Sequence, residues 1–203
     1  MLYRLLTIIF IFCAFSIQAQ KKDHAKAKPV PAPIQAKIDY TQLGTPMPQM
    51  LLVTMDTVAK TIKNPGTWWS RLRHKNITVV NTNKFTNEDF VNDANLIVMM
   101  FNPTCGHCIE ETEVLKRNID LFHKTQLILM ANGKMREYLI PFIRERELKK
   151  FPSIKVGLDS ANFVNEAFLY RNLPQINIYN PERKLIKIYN GDVAIDSLKQ
   201  YIQ

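Results

Sequence analysis

Leu96-Ile97-Val98-Met99-Met100-Phe101 is an unbroken run of six apolar residues, closed by Asn102-Pro103. A run of that length without alternation reads as a strand buried on both faces, which demands a packed layer above it and another below. The chain leaving this strand carries Cys105-Gly106-His107-Cys108. Apolar residues then recur at Leu115, Ile119 and Phe122, the spacing of one helix face. A buried strand therefore delivers a Cys-x-x-Cys pair to the start of a helix. Unpaired backbone N–H groups at helix starts favour thiolates, and a close cysteine pair can cycle between dithiol and disulfide.

Other uses of the pair fit less well. A structural disulfide across two intervening residues closes too short a loop to add much stability. A zinc site needs about four ligands. His74, His107 and His123 are present, but no second closely spaced ligand pair accompanies them. No metal and no other cofactor is expected.

The flanking sequence places the domain. Residues 1–19 read as a secretory signal, with Arg4, an apolar stretch from Leu5 to Ile17 and Ile17-Gln18-Ala19 resembling a small-residue cleavage site. That stretch is shorter than the ~20 residues of a membrane span, although an uncleaved membrane anchor is the alternative. Cys13 would leave with the signal, a lipidated Cys13 being the alternative, so that Cys105 and Cys108 remain as the cysteines of the mature chain. Export makes them a redox pair in an oxidising compartment, where reduction needs a dedicated electron source. Residues 20–40, with Lys-Pro-Val-Pro-Ala-Pro, read as a flexible linker. Residues 41–203 form the folded domain. The formal charge of +9 is scattered apart from the lysines of the linker and the Arg144 to Lys150 cluster. No nucleic-acid motif goes with it, so a solvated surface is expected and a nucleic-acid partner is not.

Within 41–95, Met50 to Val53 reads as an edge strand, Asn64-Pro65-Gly66 as a turn, and Thr67 as the cap of a short helix bearing Trp68 and Trp69. Ile77 to Val80 reads as a strand and Asn87 to Phe90 as a helical turn. Beyond the cysteines, Leu127 to Ala131 reads as a second buried strand. A helix is expected over 135–149, kinked or restarted at Pro141. An insertion follows, with a short strand at Ile154–Leu158 and a helical piece at Ala161–Phe168. Gln175–Tyr179 and Leu185–Tyr189 form a hairpin, and a last helix runs from about Val193 to Ile202 with Asp192 as N-cap. The order β-α-β-α, insertion, β-β-α implies an α/β fold, a mixed central sheet flanked by helices.

These residues resemble the thioredoxin-like superfamily. Cys105-Gly106-His107-Cys108 is identical to the active-site tetrapeptide characteristic of protein disulfide isomerases, and Leu173-Pro174 just before a strand matches the family's cis-proline position. Leu43-Gly44-Thr45-Pro46-Met47-Pro48 is similar to the extension of the exported TlpA/ResA-like branch. Glu111 matches that branch's Cys-x-x-Glu, while Glu113 stands where its proline is expected. The buried acid common in the preceding strand is Met99 here, and the usual tryptophan before the motif is Thr104. The resemblance spans roughly residues 43–203 and implies a thiol–disulfide oxidoreductase. Cys105 would be the nucleophile and Cys108 the resolving cysteine. Thr104, Gly106, His107 and Glu111 would support them, and Leu173 and Pro174 would shape a substrate groove.

The implied partners are exported proteins with cysteine pairs and a membrane or periplasmic electron donor, the chain being a monomer. The branch favours reduction, as in cytochrome c maturation, whereas His107 favours oxidation or isomerisation. The missing tryptophan and acid keep a second reading open, a thioredoxin-fold binding module or a metal or haem-pathway chaperone. Glu111 reads equally as a proton relay to Cys108 and as a solvated surface residue.

Overall fold

A computed structural model describes residues 37–62 and 75–202. The expected signal, most of the linker, the 64–66 turn and the Trp68-Trp69 helix lie outside the described residues. Among the described residues, seven strands form one sheet in the order β2-β1-β5-β4-β3-β6-β7. They are β1 Leu51–Ile62, β2 Lys75–Thr86, β3 Leu96–Phe101, β4 Gln126–Ala131, β5 Ile154–Asp159, β6 Gln175–Tyr179 and β7 Leu185–Asn190. The helices are α1 Gly106–Arg117, α2 Arg136–Glu145, α3 Phe163–Ala167 and α4 Ile195–Lys199. Among the described residues, no helix is long and apolar enough to cross a membrane.

The fold is organised around β3, whose six residues are all buried. Its side chains alternate between two apolar layers. Ile97, Met99 and Phe101 join Cys108 and Leu115 of α1, Leu139, Phe142 and Ile143 of α2 and Leu198 of α4. Leu96, Val98 and Met100 join Met47, Met50, Phe90 and, from α3, Phe163 and Ala167. Each such side chain fully removed from water contributes roughly 1.5–3 kcal/mol. β3 pairs parallel with β4, as a crossover through α1 requires, and antiparallel with β6. The β6–β7 pair is antiparallel. The mixed sheet with helices on both faces is the architecture expected from the sequence.

Several details differ. β1 is not an edge strand; it lies between β2 and β5. It pairs with β5 only over Leu52–Thr54, while its register with β2 runs the full twelve residues. Beyond Thr54 the hairpin is therefore a two-stranded ribbon. β2 extends well past Val80 because polar Asn81 to Lys84 need no buried face at a sheet edge, only the β1 backbone to pair with, and Phe85 beyond them packs against the core beside Phe90. The insertion joins the sheet itself, since β5 pairs parallel with β4. Pro141 sits inside one helix and does not start a second. α4 is shorter than expected and its N-cap is Ala194, not Asp192. The 43–48 segment docks at the start of β7, with Gly44 N–H donating to the Leu185 carbonyl (2.7 Å) and Met47 N–H to that of Arg183 (2.7 Å).

Gly157 marks the tightest crossing of β1 and β5. A Cβ there would lie 2.7 Å from the Val53 carbonyl oxygen and 2.9 Å from Leu52 Cγ. Gly157→Ala is expected to destabilise the fold by about 1–3 kcal/mol through overpacking. Urea unfolding measures this, and an unchanged midpoint would show that β1 shifts freely at that contact.

Candidate active site

The turn after β3 is built by Asn102. Its side-chain oxygen accepts from the Thr104 N–H (3.0 Å) and hydroxyl (2.9 Å), and its carbonyl accepts from the Cys105 N–H (3.0 Å). This local bonding stops the strand and turns the chain into α1. Thr104, in the position of the expected tryptophan, is thus an exposed turn residue. Cys105 is the N-cap of α1 in extended backbone (φ −87°, ψ 125°), and its carbonyl accepts the helix's bond from Ile109 N–H (3.1 Å). Gly106 is exposed, has no positive φ, and a Cβ there would meet nothing within 4 Å. The tight turn does not require glycine at this position; its missing side chain leaves the approach to Cys105 open.

The two cysteines are unbonded thiols in different surroundings. Cys105 is half-buried, while Cys108 is 0 % exposed within the α1-side core. Burial pushes the Cys108 thiol up to about 12, against an opposing backbone hydrogen bond from Asn102; Cys105 and the Asp192 charge add smaller upward contributions. Cys108 is therefore a protonated thiol at neutral pH and needs a base before it can act as a nucleophile.

Glu111, one turn further along α1, is 2 % exposed, which rules out the solvated surface position. Its Oε2 accepts from the Val193 N–H at 3.0 Å, while its Oε1 has no hydrogen-bond partner. An orphaned buried oxygen of this kind costs about 1–3 kcal/mol. Burial raises the Glu111 pKa, the Val193 bond opposes that, and the Asp192 charge adds to it. Met99 is fully buried in the same core as Cys108. A buried carboxyl is therefore supplied by the helix, and a thioether occupies the strand position where the resemblance led to an acid.

His107 Nδ1 lies 2.9 Å from Asp192 Oδ2, both side chains being more than half exposed. A pair so exposed is worth about 0–1 kcal/mol. Asp192 is engaged here, 85 residues from its partner, instead of capping α4. Leu173-Pro174 is a cis peptide at the entrance to β6, as expected. Pro174 is buried and its carbonyl accepts from Gly191 N–H at 2.8 Å. Cys105, His107, Leu173, Gly191 and Asp192 line one cleft of about 670 Å³, with Arg171 and Asn172 on its wall. The fold thus gathers Cys105, His107 and Leu173 at the surface, with Cys108 and Glu111 behind them. Arg171 and Gly191 carried no signal in the sequence and Asp192 read only as a helix cap, because only the packing of β6 and β7 beside β3 brings their loops here; Asn102, three residues before Cys105, read only as the end of the strand.

Among the described residues, His107, Glu110 and Asp192 have donor atoms within 4.8 Å of one another, a spacing that suits a divalent cation. All three are exposed, and no buried ligand joins them.

The titration of Glu111 can be read in stability. An unfolded glutamate titrates at about 4.3. Folded Glu111 keeps its proton to higher pH, so its contribution is complete below that value and is lost as pH rises through the raised folded pKa. A Glu111→Gln variant stays neutral. Its stability relative to wild type is expected to increase as pH rises from the unfolded glutamate value through the raised folded one. Thermal melts across that range test this, and a pH-independent difference would contradict the raised pKa.

No protein-family profile and no curated protein sequence matches the chain. Solved structures do. The thioredoxin domain of a thiol-disulfide oxidoreductase from Bacteroides vulgatus superposes with a TM-score of 0.54 at 16% identity, covering 80% of this chain and 99% of that one. A candidate protein disulfide isomerase from Bacteroides thetaiotaomicron gives 0.52 at 17% identity, covering 79% and 87%. With the sheet order, the flanking helices and the cis proline, these likenesses establish that the chain has a thioredoxin-like fold.

Proposed function

We propose that the chain is an exported thiol–disulfide oxidoreductase that reduces disulfides of other exported proteins through Cys105 and Cys108. The observation that carries this reading is the asymmetry of the pair. Cys105 caps α1 in an open cleft beside the cis Leu173-Pro174 peptide, and Cys108 is buried directly behind it. The Cys105 thiolate attacks one sulfur of the substrate disulfide, forms a mixed disulfide and expels the other sulfur as a thiolate. Cys108 then loses its proton, attacks Cys105 Sγ and releases the remaining substrate thiolate. Two electrons pass from the pair to the substrate, and the two leaving thiolates take up protons. Glu111, with its unpaired Oε1, is the acceptor for the Cys108 proton. Leu173 offers its backbone to an extended substrate segment, as in strand addition. A membrane or periplasmic dithiol donor returns the pair to the reduced state.

Cys105→Ser is expected to abolish dithiol-dependent disulfide reduction, and Cys108→Ala to accumulate mixed disulfides through Cys105. Undiminished turnover by Cys105→Ser would sink the reading. Equilibration with a glutathione buffer tests direction. A reduction potential near about −270 mV fits a reductase, and one between about −120 and −180 mV an oxidase or isomerase. The exposed His107, Glu110 and Asp192 group favours one other reading, a thioredoxin-fold metal-handling module. Stoichiometric copper or zinc binding without disulfide turnover would select it.

A further inference from the structure

A second depression adjoins the cysteine cleft and shares Leu173 with it. It measures about 250 Å³, and its apolar lining includes Met135, Val164, Phe168, Tyr170 and Leu173. Its far wall is the segment around and after α3. Tyr170 is 69% exposed, a large amount of ring surface to leave in water. Its backbone lies in the left-handed region (φ 53°), which is costly for a non-glycine residue. Two contacts hold the ring. Its hydroxyl donates to Asn165 Oδ1 at 3.2 Å, and it stacks edge-on against Phe168 at a centroid distance of 5.2 Å. Lys134 lines the pocket and Arg171 the adjoining cleft, and no acidic residue lines the pocket.

We propose that this pocket is a specificity subsite that takes one large apolar side chain of the substrate polypeptide, close to the cysteine that Cys105 attacks. The inference rests on the redox reading of the neighbouring cleft. An extended segment that pairs with the Leu173 backbone sends successive side chains to opposite sides, alternate ones about 6.4–6.8 Å apart. With Leu173 as the shared wall, a side chain within two positions of the reacting cysteine drops into the pocket. The Lys134 and Arg171 charges disfavour a basic side chain there and suit an acidic neighbour. Leucine, methionine and phenylalanine match the lining.

The test uses peptides with one cysteine as a mixed disulfide, leucine or lysine being scanned across the two positions on either side. At one position leucine is expected to lower KM about tenfold relative to lysine, the scale of burying one apolar side chain. Tyr170→Gly, which tolerates the left-handed backbone, should reduce that ratio to about threefold or less. Tyr138→Ser, an exposed residue of α2 outside the pocket, should keep both the ratio and the turnover. Ratios below about twofold at every position, or an unchanged ratio in Tyr170→Gly, would overturn the subsite. Binding of the same peptides with serine for cysteine, read by fluorescence anisotropy, separates the two claims. A leucine preference in binding without any turnover supports the subsite and sinks the redox reading. Turnover of 2-hydroxyethyl disulfide without any peptide preference does the reverse.

Discussion

Strand β3 presents no side to solvent. Leu96, Val98 and Met100 pack into one apolar layer and Ile97, Met99 and Phe101 into the other, so neither face tolerates a slip of one residue. That register also determines where the strand ends. Phe101 is its last paired residue, Asn102 closes the turn through its own side chain and carbonyl, and Cys105 becomes the N-cap of α1. Cys108 then lies one turn inside, against the same core that holds Met99. The exposed and buried characters of the two cysteines are thus set by the burial of the strand before them.

The polar groups around the pair are held by the chain that follows β7. Val193 N–H donates to Glu111, and the Asp192 carboxylate meets His107, so one short loop contacts both the buried and the exposed side of α1. Gly191, at a φ of 81° that favours glycine, turns the chain into this loop and donates to the Pro174 carbonyl. The cis Leu173-Pro174 peptide, the β7–α4 loop and the start of α1 are therefore joined by direct hydrogen bonds across three distant parts of the sequence. The Asp192 charge opposes ionisation of both Cys108 and Glu111, adding in each case to the larger effect of burial.

Much of this was legible from residue patterns because the signals were local. Continuous apolar runs marked β3 and β4, a tight polar connection marked the β6–β7 hairpin, and Cys-x-x-Cys marked the strand-to-helix junction at the candidate site. The misreadings came where pairing decides structure and local propensity does not. Asn81 to Lys84 are polar yet extended because β1 lies beside them. The short strand expected at Ile154–Leu158 is there, but it belongs to the central sheet and not to an insertion, because β4 and β1 leave a place for it. Asp192 had the composition of an N-cap, but its carboxylate is drawn to His107 and the helix starts later, after Ala194.

The sequence by itself determined that two cysteines follow a doubly buried strand at a helix start, and that a proline opens a later strand. Those are matters of period, composition and short-range bonding. Only the tertiary structure decided that Glu111 is buried with one oxygen unpaired, that Asp192 faces His107, and that Leu173 stands between the cysteine cleft and the Tyr170 pocket. Burial and long-range pairing depend on which strands become neighbours, and that is settled by the whole sheet closing its two apolar layers.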